Sequence, residues 1–126
     1  MEPVETILVV DDSRFARQML KAVVKSYLPE AEIHEAGDGR EAVSQMQAIP
    51  AQLVFMDYNM PEMTGLEAIE AISKDHPETL FALVTANTQK ILQERVSDLN
   101  VRFLFKPVDK DKIGQFLQEE KVIPNG

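Results

Sequence analysis

The sequence of 126 residues predicts an open α/β fold: a five-stranded parallel sheet of order 2-1-3-4-5, doubly wound, with helices on both faces. Three observations predict it. Short apolar runs of strand length alternate strictly with amphipathic helical segments, giving (βα) five times over. Most of those runs are apolar at every position, as strands covered on both faces of a parallel sheet are. The second run is the more polar one, which makes it an edge strand and places the first and third side by side in the interior. The length suits one domain with one core, spanning residues 1–126.

The first strand is Ile7-Leu8-Val9-Val10, and it ends on Asp11-Asp12. From Ser13 the apolar period becomes helical: Phe15, Met19, Val23 and Tyr27, flanked by Leu20, Val24 and Leu28, form one stripe. Asp12 or Ser13 can cap this helix, and Pro29 stops it. Met19 and Met46 read as core filler. Ala31 to Ala36 is the edge strand. Gly37-Asp38-Gly39 is a turn, and Asp38 with Glu41 resembles a capping box that opens a second helix carrying Ala42, Val43 and Met46. Leu53 to Asp57 is the third strand. Thr64 and Glu67 form a capping box for a third helix, whose inner stripe is Leu66, Ile69 and Ile72. Leu80 to Val84 is the fourth strand and ends on Thr85. Ile91, Leu92, Val96 and Leu99 mark a fourth helix whose other face is very polar. Val101 to Phe105 is the fifth strand, ending on Lys106-Pro107. Asp109 begins a fifth helix with Ile113, Phe116 and Leu117 inside. Residues 122–126 read as a loose tail.

Composition removes several classes of function. Net charge is −8, a surface that repels a phosphate backbone, so direct nucleic-acid binding is not expected. There is no cysteine, hence no disulfide, thiolate metal site or cysteine nucleophile, and the usage fits a cytoplasmic protein. No apolar run is long enough for membrane insertion, and the acidic Met1-Glu2-Pro3-Val4-Glu5 lacks the basic region of a signal peptide.

Function is concentrated at the strand ends. In an open parallel α/β sheet, ligands sit beyond the carboxyl ends of the strands, at the point where the winding reverses. Here strand 1 ends on Asp11 and Asp12, strand 3 on Asp57, strand 4 on Thr85 and strand 5 on Lys106. Three carboxylates brought together repel and raise one another's pKa values. A divalent cation relieves that repulsion, and oxygen donors with water suit Mg²⁺, with Mn²⁺ as a substitute. Asn59 would add its backbone carbonyl to the metal. Lys106 supplies a fixed cation and Thr85 a hydroxyl. An aspartate so surrounded suits phosphoryl transfer, with Asp57 as nucleophile forming an aspartyl phosphate.

These residues together resemble the response regulator receiver domain of two-component signalling, over essentially the whole chain. Asp11-Asp12 matches the acidic pair and Asp57 the phosphoacceptor. Asp57-Tyr58-Asn59-Met60-Pro61 with Gly65 matches the acceptor loop, Thr85 the switch hydroxyl, and Lys106-Pro107 the lysine–proline pair. The resemblance implies a flavodoxin-like fold, a cis Lys106–Pro107 peptide, and phosphorylation of Asp57 by a sensor histidine kinase or phosphotransfer protein. It implies Phe103 as the rotamer switch that follows Thr85, changing the helix 4–strand 5–helix 5 surface read by a downstream protein. It implies Asn59 and Asn87 as positions that tune hydrolysis, and a monomer or a weak dimer through the same surface. The family usually carries Gly or Ala before strand 5, where Asp98-Leu99-Asn100 stands here. The competing reading is a Mg²⁺-dependent phosphohydrolase with an aspartyl nucleophile. It would need a second acid for the leaving group and a cap over substrate, and the chain has no insertion that could form the cap. A flavin-binding module of the same fold is disfavoured, because Asp11 and Asp12 would repel its phosphate.

Overall fold

A computed structural model describes residues 4–124. The strands are β1 (Thr6–Val10), β2 (Glu32–Ala36), β3 (Leu53–Asp57), β4 (Leu80–Thr85) and β5 (Val101–Phe105). The helices are α1 (Arg14–Tyr27), α2 (Gly39–Ala48), α3 (Gly65–Asp75), α4 (Lys90–Arg95) and α5 (Lys110–Glu119). All strands are parallel, in the order β2-β1-β3-β4-β5. The two strands that flank the reversal, β1 and β3, pair directly from Ile7 opposite Leu53 to Val10 opposite Met56.

Each strand divides its side chains between two cores. Leu8, Val10, Val54, Met56, Phe81 and Leu83 pack beneath α2, α3 and α4, against Ala42, Met46, Leu66 and Ile69. Ile7, Val9, Leu53, Phe55, Ala82 and Val84 pack beneath α1 and α5, against Val24, Ile113 and Leu117. Phe55 meets Phe116 edge to face at 5.8 Å and 65°, which seats α5 on the central strand. The edge strand β2 carries the polar pattern expected of an edge, with only Ala36 fully buried.

The caps follow the sequence. Ser13, Asp38, Thr64 and Asp109 each accept an N–H of the first helical turn. Thr64 and Glu67 close a full capping box. At α2 the reciprocal half differs: Glu41 reaches past the cap to accept the Gly37 N–H at 3.0 Å.

Three expectations are corrected. Phe15 and Met19 are 75 % and 55 % exposed, so Met19 is not core filler. The α1 stripe is longer than the surface that covers it, and only its later part, around Val24, is sealed. Helix α4 has six residues and no side-chain cap, and Ile91 is exposed. Leu92 and Val96 are four apart and share the buried face, so Ile91, about 100° away from Leu92 on the helix, must face out. Val122 and Ile123, expected in the loose tail, pack half-buried against the α1–α5 core, their N–H groups donating to the Leu117 carbonyl. The last two tail positions, 125 and 126, lie outside the described residues.

Candidate phosphoacceptor site

The parallel sheet carries Asp57 to the end of its central strand, where only 4 % of the residue is exposed. Its strand neighbour β1 delivers Asp11, half-buried, and the exposed Asp12 to the same end. One carboxylate oxygen from each of Asp11, Asp12 and Asp57 lies within 4.8 Å of the others. The edge of α3 closes in from below. The Gly65 N–H donates to the Tyr58 carbonyl at 2.9 Å, and a Cβ at Gly65 would stand 2.2 Å from the Asp57 carbonyl oxygen. Only glycine permits that approach.

Lys106 leaves β5 on the other side. Its backbone N–H donates to the Thr85 carbonyl at 2.9 Å, and its Nζ stands 2.8 Å from Asp57 Oδ1. The Lys106–Pro107 peptide is cis. Lys112 on α5 donates from Nζ to the carbonyls of Phe105 and Pro107, each at 2.8 Å, and so ties down the backbone on both sides of Lys106. The Lys106–Asp57 contact is a charge pair without the alignment of a hydrogen bond, and no other described donor reaches that buried Oδ1. Burial raises the Asp57 pKa above its usual value of 3.8, the Lys106 charge opposes that rise, and the Asp12 charge adds to it. Asp11 is raised as well, first by burial and then by Asp57; the Ser13 N–H, which donates to Asp11 Oδ1 at 2.8 Å, pulls the other way.

Three clustered carboxylates, one of them buried, with no sulfur or imidazole donor in the cluster, fit the chemistry of a hard divalent cation that keeps most of its water. Asp11, Asp12 and Asp57 are the residues able to hold one. The Asn59 carbonyl, two residues past Asp57, accepts no hydrogen bond from the described residues.

Thr85 is 1 % exposed and its Oγ1 accepts the Asn87 N–H at 2.9 Å, leaving the hydroxyl proton uncommitted among the described residues. The Asn87 side chain is engaged in its own turn, accepting the Gln89 N–H at 2.8 Å. Phe103 is half-buried and stacks on Phe105 at 5.8 Å and 19°, so the two rings share one face, as strand alternation requires. Their register partners on β4 are Leu83 and Thr85. Phe103 therefore lies on the α3–α4 side of the sheet, one strand over from Thr85.

Two supporting residues escape a reading of strand ends alone. Lys112 is one, three residues past the Asp109 cap. Arg17 is the other: it donates to the Asp11 carbonyl. Both are long cations on helices, and only the fold shows that they turn back toward strand-end carbonyls.

The chain matches the family model "Response regulator receiver domain" over residues 7–118. It is 32 % identical over 114 residues to a chemotaxis protein CheY of Thermotoga maritima, covering 90 % of this chain and 94 % of that protein. It is 34 % identical over 121 residues to a protein-glutamate methylesterase/protein-glutamine glutaminase of Pyrococcus abyssi, covering 93 % of this chain but only 32 % of that protein. The solved chemotaxis protein CheY4 of Vibrio cholerae superposes with a TM-score of 0.82 at 28 % identity, covering 92 % of this chain and 98 % of the other. The chain belongs to the receiver domain family of response regulators.

Proposed function

We propose that Asp57 is the phosphoacceptor of a signalling switch, charged in a Mg²⁺-dependent reaction by a sensor histidine kinase or a phosphotransfer protein. The observation that carries the proposal is the Asp57 carboxylate, buried at a strand end, with a lysine Nζ at 2.8 Å and two further carboxylates within 4.8 Å. Mg²⁺, held by Asp11, Asp12, Asp57 and the Asn59 carbonyl, would neutralise charge on the transferring oxygens when bound. Lys106 favours the ionised form of Asp57, which is the nucleophilic one. A carboxylate oxygen forms a bond to phosphorus as the bond from phosphorus to the phosphodonor breaks, and the leaving group departs with its electron pair. The Thr85 hydroxyl, free to donate, then turns to a phosphoryl oxygen, and Phe103 fills the space it vacates. The changed α4–β5–α5 surface signals a downstream protein, through a monomer or a weak dimer. Asn59 and Asn87, neither of them an acid, leave attacking water without a general base at those positions. The unit acts as a stoichiometric acceptor in the cytoplasm, not as a catalyst of substrate turnover.

The test is labelling with Mg²⁺ and a small acyl phosphate. The parent chain should take up one phosphoryl group that is lost with time, and Asp57→Asn should take up none. Equal labelling of Asp57→Asn would remove Asp57 from the role. Continuous turnover of an added phosphoester would favour the phosphohydrolase instead.

A further inference from the structure

Behind the acidic pair, Arg17 on α1 makes two directed contacts that no account of the carboxylates uses. Its side chain is 17 % exposed. Nη1 donates to the Asp11 backbone carbonyl at 2.7 Å, and Nε donates to Glu35 Oε1 at 3.1 Å. Glu35 sits on β2 opposite Val9 of β1, one residue short of the register of the strand end. It also accepts from Gln18 Nε2 at 2.8 Å and Lys21 Nζ at 3.2 Å. Burial pushes the Glu35 carboxyl up, but Arg17, Lys21 and Gln18 together bring it below its usual range, so it is a firm anion for the guanidinium to lean on.

The Asp11 carbonyl belongs to the peptide plane that joins Asp11 to Asp12, so its direction sets the direction in which Asp12 leaves the strand. The Asp11 N–H is fixed on the other side, donating to the Ala36 carbonyl at 3.2 Å. Asp11, Asp12 and Asp57 repel one another, and a loop under that load relaxes outward unless something holds it. A planar guanidinium, its two fixed donors directed at acceptors on β2 and at the end of β1, is suited to hold it.

We propose that Arg17 is a positioning residue for the divalent-cation site. Gripping the Asp11 carbonyl, and itself oriented by Glu35, it holds the turn between β1 and α1 so that the Asp11 and Asp12 carboxylates face Asp57. The inference rests on the reading of these three aspartates as the Mg²⁺ ligands.

The experiment is calorimetric titration of Mg²⁺ into the parent chain, Arg17→Met, Arg17→Lys and Glu35→Gln, with acyl-phosphate labelling of each across a range of Mg²⁺. Arg17→Met should weaken Mg²⁺ binding about 10-fold, as loss of groups that orient metal ligands does. Arg17→Lys should recover part of the loss, because an ammonium can reach the carbonyl but cannot span both acceptors. Glu35→Gln should fall between the parent and Arg17→Met. The Mg²⁺ concentration for half-maximal labelling should rise by the same factor, while the extent of labelling at saturating Mg²⁺ stays at the parent level. A general loss of structure would lower that extent instead. Affinities of Arg17→Met and Glu35→Gln indistinguishable from the parent's overturn the inference alone. A parent chain that neither binds Mg²⁺ nor is labelled overturns the aspartate reading together with it. Should Arg17→Met fail to fold, Glu35→Gln decides.

Discussion

Asp57→Asn should make the metal-free protein more stable, although it removes one half of an ion pair. At an effective dielectric constant near 20, like charges 4.8 Å apart repel by ~3.5 kcal/mol, so Asp57 and Asp11 repel by at least that before screening. The Lys106–Asp57 pair at 2.8 Å attracts by ~6 kcal/mol on the same scale. The Lys106 side chain is 41 % exposed, however, and solvent removes much of that attraction. The desolvation of a carboxylate that is 4 % exposed and the Asp12 charge act in the same direction as Asp11. Repulsion and burial therefore win, in agreement with the raised Asp57 pKa, and the neutral asparagine should gain on the order of 1 kcal/mol or more. The sign with pH follows. A carboxyl whose folded pKa lies above 3.8 binds its proton more tightly in the native state than in the unfolded chain. Between those two values stability falls as pH rises, and above the folded value the full penalty is carried. Urea unfolding followed by circular dichroism, in chelator at low ionic strength from pH 4 to 8, measures both. Asp57→Asn should be the more stable at pH 7, by a margin that shrinks toward pH 4. An asparagine variant equal to or less stable than the parent at pH 7 would refute the reasoning and make Lys106 the dominant partner.

Adding Mg²⁺ should reverse the penalty. At about 100 times its Kd it should raise parent stability by ~2.7 kcal/mol, and Asp12→Asn should lose most of that gain in the same unfolding assay. Gly65→Ala places a methyl 2.2 Å from the Asp57 carbonyl oxygen; despite a helix-propensity gain of ~1 kcal/mol, a net loss of about 2 kcal/mol in urea unfolding is expected. Glu62 lies at φ 69°, so Glu62→Gly should stabilise by about 1 kcal/mol in the same measurement. Thr64→Ala, which breaks the capping box of α3, should cost about 1 kcal/mol by thermal or urea unfolding.

The sheet was legible because β1, β3 and β4 are apolar on both faces, as runs such as Leu53 to Met56 show, and such runs belong in the interior of a parallel sheet. The convergence of the candidate site residues was legible for a related reason. In this topology strand ends converge, so a polar residue that stops an apolar run can be placed without knowing any distance, as with Asp57, Thr85 and Lys106. What periodicity could not supply is how far each helix face is covered. Phe15 and Met19 continue the α1 stripe in sequence but not in burial, and Ile91 beside Leu92 has the same ambiguity. Val122 and Ile123 pack because the α1–α5 core extends past the end of α5, which only the arrangement of the two helices reveals. Arg17 and Lys112 were hidden for a further reason. Their acceptors are backbone carbonyls, and every residue has one, so no side-chain pattern marks the pairing.

The Lys112 contacts also determine which parts of the site can move. With the carbonyls of Phe105 and Pro107 tied to α5, and the Lys106 N–H tied to β4, the Lys106 backbone is moored while its four-carbon stem remains partly in solvent. Its ammonium can then swing between acceptors like a boom on a fixed mast. Any change of charge at Asp57 that Lys106 follows is met by side-chain rotamers, on the picosecond to nanosecond scale of exposed groups, and does not have to wait for the sheet to shift. Severing the mooring would free the backbone on both sides of Lys106, so that the position of the ammonium would no longer be set by its own rotamers alone.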